Sequence, residues 1–414
     1  MWFSYVFIIA LIGAISLQWW LNHRQLRHIL AHRAAVPEAF ADKISLEAHH
    51  KAADYTTDRL RVGRIELLYG TALLLAWTFG GGLNWLDGLW QSLLGQPIWL
   101  GVGVMISFMI ISSLLDLPFS IYRTFVIEER YGFNRTKPLL FVADLAKGLL
   151  LTIAIGVPLV WVVLWLMAST GHLWWLYVWL VWMSFSLLMI FIYPTWIAPI
   201  FNKFTELDNV ELKQTIEKLM QRCGFTSSGI FVMDGSRRSS HGNAYFTGLG
   251  ENKRIVFFDT LLKSLTPPEI EAVLAHELGH FKHKHIHKHI LAMSIMTLLA
   301  LATLGWLMQQ SWFFAGLGIA TPSAYMALIV FSLLLSVFGV YFQPVFSFFS
   351  RKHEFEADDF AAQQSDPARL ILALVKLYEE NANTLTPDPL YSAFHDSHPP
   401  APVRIAHLSA KLPS

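Results

Sequence analysis

The stretch Leu149-Leu150-Leu151-Thr152-Ile153-Ala154-Ile155-Gly156-Val157-Pro158-Leu159-Val160-Trp161-Val162-Val163-Leu164-Trp165-Leu166-Met167 decides the fold. A bilayer span needs about 20 apolar residues, and this run nearly supplies one by itself. It lies in an interval, 148–202, that holds no Lys or Arg; the same is true of 1–23, 65–122 and 289–350. The first interval has room for one membrane helix and each of the others for two. The pattern therefore predicts seven spans, near 3–20, 65–84, 98–119, 146–167, 173–195, 290–309 and 324–347. Composition agrees: 54% of residues are hydrophobic, mean hydropathy is +0.44 and 16 residues are tryptophan. Charged residues make up 15%, against about a quarter in soluble domains.

The three double intervals break at Gly80 to Gln96, Ser169 to His172 and Gln309 to Ser323, and none of these turns carries Lys or Arg. Every basic residue thus falls on one side, which the positive-inside rule makes the cytoplasm, with the N-terminus outside and the C-terminus inside. The first apolar run has no basic segment ahead of it and no clear cleavage site, so it reads as a retained span. A formal charge of +1 gives no electrostatic case for nucleic acid. The single cysteine, Cys223, excludes an intrachain disulfide framework and reads as a small core hydrophobe near a helix end. The chain divides into a five-span membrane segment (1–202), a cytoplasmic segment (203–289), a membrane hairpin (290–350) and a cytoplasmic C-terminal segment (351–414). The loop 21–64 is expected to form helical structure on the cytoplasmic face. The charged, aromatic loop 120–147 reads either as an interfacial anchor or as cover for a cavity.

Within 203–289, Asn209 to Arg222 reads as an amphipathic helix stopped by Gly224. Residues 230–233, 243–247 and 254–258 read as short strands. Thr266-Pro267-Pro268-Glu269 is a strong helix start, with Thr at the cap, Pro at the first position and Glu three after the cap. That helix carries His276-Glu277-Leu278-Gly279-His280. Histidines four apart share a helix face and can hold one metal ion. Glu277 beside the first can take a proton from an attacking water. A catalytic zinc needs three protein ligands and one open position. The long pattern with a third histidine is excluded, because residue 283 is His and 286 is Ile.

The third ligand is expected from Arg351-Lys352-His353-Glu354-Phe355-Glu356-Ala357-Asp358-Asp359, just past the last span. Glu354 and Asp358 share a face, so Glu354 suits the metal and Asp358 suits the ring N–H of a ligating histidine. Glu356, on roughly the opposite face, suits the metal less. In the run 282–289, His283 is placed to face the site, and the other histidines are read as capping the helix where it enters the headgroups. The rival reading of seven spans as a transporter lacks ionisable residues deep in the membrane; Glu66 and Asp116 both lie near span ends.

Taken together, His276-Glu277-x-x-His280, Glu354-x-x-x-Asp358, Asn243-Ala244-Tyr245-Phe246-Thr247-Gly248 and Phe125-Val126-Ile127-Glu128-Glu129 with Gly132-Phe133-Asn134 resemble the Ste24-type CAAX prenyl proteases of the M48 metallopeptidases. The likeness runs from about Val36-Pro37-Glu38-Ala39-Phe40 to His398-Pro399-Pro400 and Arg404. It implies a mainly α, polytopic membrane protein, with seven helices around a large chamber and an α+β zinc-protease domain at the cytoplasmic end. It implies one Zn²⁺ on His276, His280 and Glu354, with Glu277 as general base. Asn243 and His398 would act in substrate positioning or oxyanion stabilisation, and Arg404 matches the family's C-terminal arginine. The implied substrates are prenylated or other membrane-associated peptides, and the implied state is a monomer. The chain ends at Ser414, soon after Arg404 and without a lysine-rich tail, which fits a bacterial member in a plasma membrane.

Overall fold

The computed structural model of the protein describes residues 2–226, 229–247 and 254–412. Among these, six helices are long and apolar enough to cross a bilayer: Trp2–Ala31, Pro97–Glu128, Pro138–Ser169, Gly171–Phe201, His285–Leu307 and Ala324–Gln364. A pair of helices, Leu46–Trp77 and Gly82–Leu93, bent by 50°, makes a seventh candidate if it is counted as one broken span. The second span was expected to run to residue 84, but its helix stops at Trp77. Three consecutive glycines make the break: Gly81 has φ +77°, and a Cβ on Gly80 would lie 2.7 Å from the Ala76 carbonyl oxygen. The Tyr325 hydroxyl then donates to Asp87 at 2.7 Å, tying the short arm of the bend to the last span. The loop 21–64 is indeed helical, because the first two long helices run on through most of it.

Apolar side chains in the bundle face two ways. Phe7, Leu83, Val104, Leu304 and Met326 pack inward and are fully buried. Ile9, Leu150 and Trp196 point outward and stay more than half exposed, an arrangement that is favourable only against lipid. The helix of the last span, Ala324–Gln364, has 41 residues, about 60 Å at 1.5 Å per residue, roughly twice the hydrocarbon thickness. Its C-terminal part therefore stands clear of the bilayer and carries Glu354 and Asp358.

Beyond the fifth span the chain forms β1 (Phe204–Glu206), a helix (Val210–Cys223), β2 (Gly229–Met233), β3 (Ala244–Thr247) and β4 (Arg254–Phe258). The sheet order is β1-β2-β4-β3, with β2 parallel to β4 and the outer strands antiparallel. β1, three residues long, is too short to announce itself by alternation. The helix start and stop are chemical: the Asn209 side chain accepts from the Leu212 N–H at 2.9 Å, and Gly224 takes φ +73°. Phe40, Ile216, Phe257, Leu278, Ala361 and Ile405 belong to one buried cluster. Residues on both sides of the 290–350 hairpin thus share a single core. The motif residue Gly248 lies outside the described residues.

The 120–147 loop is tied to this unit. The Tyr55 hydroxyl donates to Glu128 at 2.5 Å, and His241 Nε2 lies 3.3 Å from the other Glu128 oxygen. Phe133 stacks on His241 at 4.4 Å. The loop therefore packs against the segment that leads into β3.

Candidate active site

The site helix, Pro267–Lys282, opens with the expected capping box between Thr266 and Glu269. Glu269 also accepts from Lys376 Nζ at 2.7 Å, which fastens the helix start to Pro367–Glu380. Three turns later the helix meets the projecting end of the last span. The contact is backbone to backbone: a Cβ on Gly279 would lie 2.8 Å from the Ala357 Cα. Only glycine allows that approach. Glu354 and Asp358, one turn apart, are thereby brought against His276 and His280.

Three ligand atoms converge there, all within 4.8 Å of one another. His276 Nε2 and His280 Nε2 are 3.2 Å apart. Glu354 Oε2 lies 3.5 Å from the first and Oε1 lies 3.3 Å from the second. The donor set of two imidazoles and one carboxylate suits zinc. Glu354 Oε2 is buried with no hydrogen-bond partner among the described residues, and an orphaned carboxylate oxygen fits a cation.

Behind His276, its Nδ1–H donates to Asp358 Oδ1 at 2.8 Å. Buried Arg404 holds Asp358 with both ends of its fork, Nε to Oδ2 at 2.9 Å and Nη2 to Oδ1 at 2.6 Å, and reaches Glu354 at 3.5 Å. One guanidinium thus balances two buried carboxylates and sets the direction of each. Burial and Arg404 push the His276 pKa down, but Asp358 and Glu354 outweigh them and lift it to about 9. A metal on this ring must displace a firmly held proton, so its binding weakens as pH falls.

Glu277 lines a groove of about 280 Å³ with Asn243, His276, Tyr378, His398 and Arg404. His398 Nε2 is 3.4 Å from Glu354 Oε1, and its Nδ1 lies 2.9 Å from the Ser397 hydroxyl. Its side chain is 61% exposed; the burial it has, helped by Arg404, His276 and His280, lowers its pKa against the pull of Glu354. The Asn243 side-chain oxygen accepts from the Ala244 N–H at 2.8 Å, which leaves its amide N–H₂ as the donor. Past Tyr378, Asn383 and His398 the groove continues into a space of about 550 Å³ between the first two long helices and the C-terminal segment. All eight residues singled out from sequence therefore meet in one place.

Two expectations are corrected. His283 does not face the trio; it lies edge-on to Phe360 and lines a separate outer cavity with Lys282 and Glu356. His285, read as one of the headgroup histidines, is buried and lies 3.0 Å from the His280 ring. Spacing alone hid it, for a reason given below.

Fold and site define a multi-span membrane metalloprotease. Residues 25–203 match the family described as CAAX prenyl protease N-terminal, five membrane helices, and residues 206–412 match Peptidase family M48. The chain is 36% identical to a CAAX prenyl protease 1 homolog of Arabidopsis thaliana, over 91% of each chain. It is 33% identical to CAAX prenyl protease 1 of Saccharomyces cerevisiae, over 96% of this chain and 93% of that one. The crystal structure of S. mikatae Ste24p superposes with a TM-score of 0.91 at 32% identity, covering 99% of both chains. The chain belongs to the Ste24-type CAAX prenyl proteases, zinc metalloproteases of family M48.

Proposed function

We propose that the protein is a zinc endopeptidase that cuts peptide bonds near the C-terminus of prenylated or other membrane-associated peptides, at the cytoplasmic face. The observation that carries this reading is the convergence of His276, His280 and Glu354 beside a groove lined by His276 and Glu277 that continues into a partly open space. A zinc ion held by the trio would acidify water and polarise the scissile carbonyl.

The remaining work falls to side chains of this chain. Among the described residues β3 is an edge strand, so an extended peptide can add to it by backbone pairing, with Asn243 at the end nearest the trio. Glu277 takes the proton of the attacking water as its oxygen bonds to the carbonyl carbon. The same proton then passes to the leaving nitrogen as the C–N bond breaks, giving an amine and a carboxylic acid, whose remaining proton is then lost to the amine or to solvent. Asn243 and His398 donate to the developing oxyanion. Asp358 and Arg404 keep His276 and Glu354 aimed. The seven spans hold this floor at the membrane, and the Lys/Arg distribution supports the cytoplasmic side.

A second reading, a membrane quality-control protease with no prenyl requirement, is favoured by the polar lining of the 550 Å³ space, where Arg59, Arg123 and Asp396 are found. Matched quenched peptides with and without a prenyl group separate the two. Cleavage should stop with a zinc chelator, and Glu277→Gln should lower turnover by about 10²–10⁴-fold while zinc stays bound. Wild-type turnover by zinc-loaded Glu277→Gln protein would remove Glu277 from its role. Chelator-insensitive cleavage would remove zinc from the mechanism, and no cleavage with any peptide would favour transport or simple zinc binding.

A further inference from the structure

Each metal-facing ring has a second nitrogen, and the two are held differently. His276 leans on Asp358. His280 Nδ1 instead lies 3.0 Å from His285 Nδ1, and His285 Nε2 lies 2.8 Å from Glu356 Oε2. His285 is 5% exposed and stacks on His353 at 4.0 Å. Lys288 stands 3.7 Å from the same Glu356 oxygen.

This contact could not exist on a continuous helix, where a residue five positions on lies about 140° round the axis. The site helix ends at Lys282, Lys284 takes φ +56°, and the next helix restarts at His285. The left-handed residue turns the chain so that His285 comes back over His280. Lysine has no intrinsic preference for this conformation, so the surrounding contacts must hold it there.

With Nε2 of His280 facing the trio, its ring proton sits on Nδ1 and is donated to His285 Nδ1. His285 in turn donates its Nε2–H to Glu356, an acceptor balanced by Lys288. We propose that His285 and Glu356 are positioning residues that fix the tautomer and rotation of His280 at the metal centre. The inference rests on the zinc reading above. The alternative, a second metal site among His283, His285, His353 and Glu356, finds no support: among the described residues only the His276, His280 and Glu354 atoms converge.

The test uses the full-length protein in detergent or nanodiscs and reads zinc affinity by chelator competition, the visible spectrum of the cobalt form, and melting at saturating zinc. His285→Ala should weaken zinc by about 10–100-fold and alter the cobalt bands, with the zinc-saturated melt preserved. His285→Asn, whose amide oxygen takes the place of Nδ1 and can accept from His280 but falls short of Glu356, should recover part of that loss. Glu356→Gln should give a smaller loss, and His287→Ala, on the exposed part of the same tract, should give none. Unchanged zinc affinity in His285→Ala and Glu356→Gln overturns the proposal, as does an equal loss in His287→Ala. Should His285→Ala fail to fold, Glu356→Gln still decides: wild-type affinity and cobalt bands in that variant overturn the proposal. A wild-type protein that binds no zinc sinks the metal reading and this inference with it. Tight wild-type zinc with an indifferent His285 sinks only the latter.

Discussion

The membrane bundle buries some apolar side chains and leaves others exposed along its spans, whereas the catalytic unit gathers its large apolar side chains into an enclosed core. Leu150 and Trp196 in the bundle face outward at 66% and 76% exposure, while Ile216 and Phe257 in the catalytic unit are fully enclosed. In lipid an outward leucine loses nothing, since the tails are as apolar as its protein neighbours. In water the same side chain must find a partner, and the catalytic unit draws its partners from both sides of the last membrane hairpin. A bundle helix is therefore specified mostly by its own composition. The catalytic unit is specified by contacts between segments far apart in the chain.

The contrast can be broken most severely at its best-connected point. Asp358→Asn removes one buried carboxylate from the His276 and Arg404 network and leaves Arg404 short of a counter-charge. The expected cost is about 3–5 kcal/mol together with about 10–100-fold weaker zinc, read by melting and chelator competition. Next, Ile216→Ala should cost about 2–5 kcal/mol, as a cavity in a water-surrounded core does. The matched outward change Leu150→Ala should stay within about 0.5 kcal/mol. Equal losses at these two positions would erase the distinction. Gly279→Ala tests the backbone contact itself: overpacking against Ala357 should cost about 1–3 kcal/mol and lower zinc occupancy at a fixed zinc concentration.

The smallest expected effect concerns Glu269. Burial raises its pKa, but Lys376 and the Thr266 cap outweigh that, so the net shift is downward from 4.5. A depressed carboxyl stabilises the fold fully above 4.5 and loses that contribution as pH falls through the lower folded value. Glu269→Gln should cost about 1 kcal/mol at pH 7, and the gap from wild type should narrow on acidification below 4.5. A gap that widens there would reverse the assignment.

Much of this was legible from residues alone. The Lys/Arg-free intervals picked out the helices that are long and apolar enough to cross a membrane, and the Thr266 box and Gly224 stop marked helix ends because those signals act within four residues. The pair Glu354 and Asp358 was legible because helical spacing puts both on one face. The end of the second span was misplaced because the bend at Gly80 to Gly82 uses a backbone angle and a close approach open to glycine, which hydropathy does not register. His285 was missed because its relation to His280 passes through one backbone angle at Lys284, and no side-chain period reports a single left-handed residue.

The amino-acid sequence by itself determined the membrane setting, the metal-binding helix with Glu277, and the chemical type of every ligand, since these follow from local periodicity and composition. Only the tertiary structure decided that Gly279 and Ala357 touch, that Arg404 is the counter-charge behind the site, that the His280 ring lies against His285, and that β3 is an edge strand among the described residues. The physical reason is distance along the chain. Local rules fix what a helix presents, but where two helices 80 residues apart meet depends on backbone clearance at one glycine.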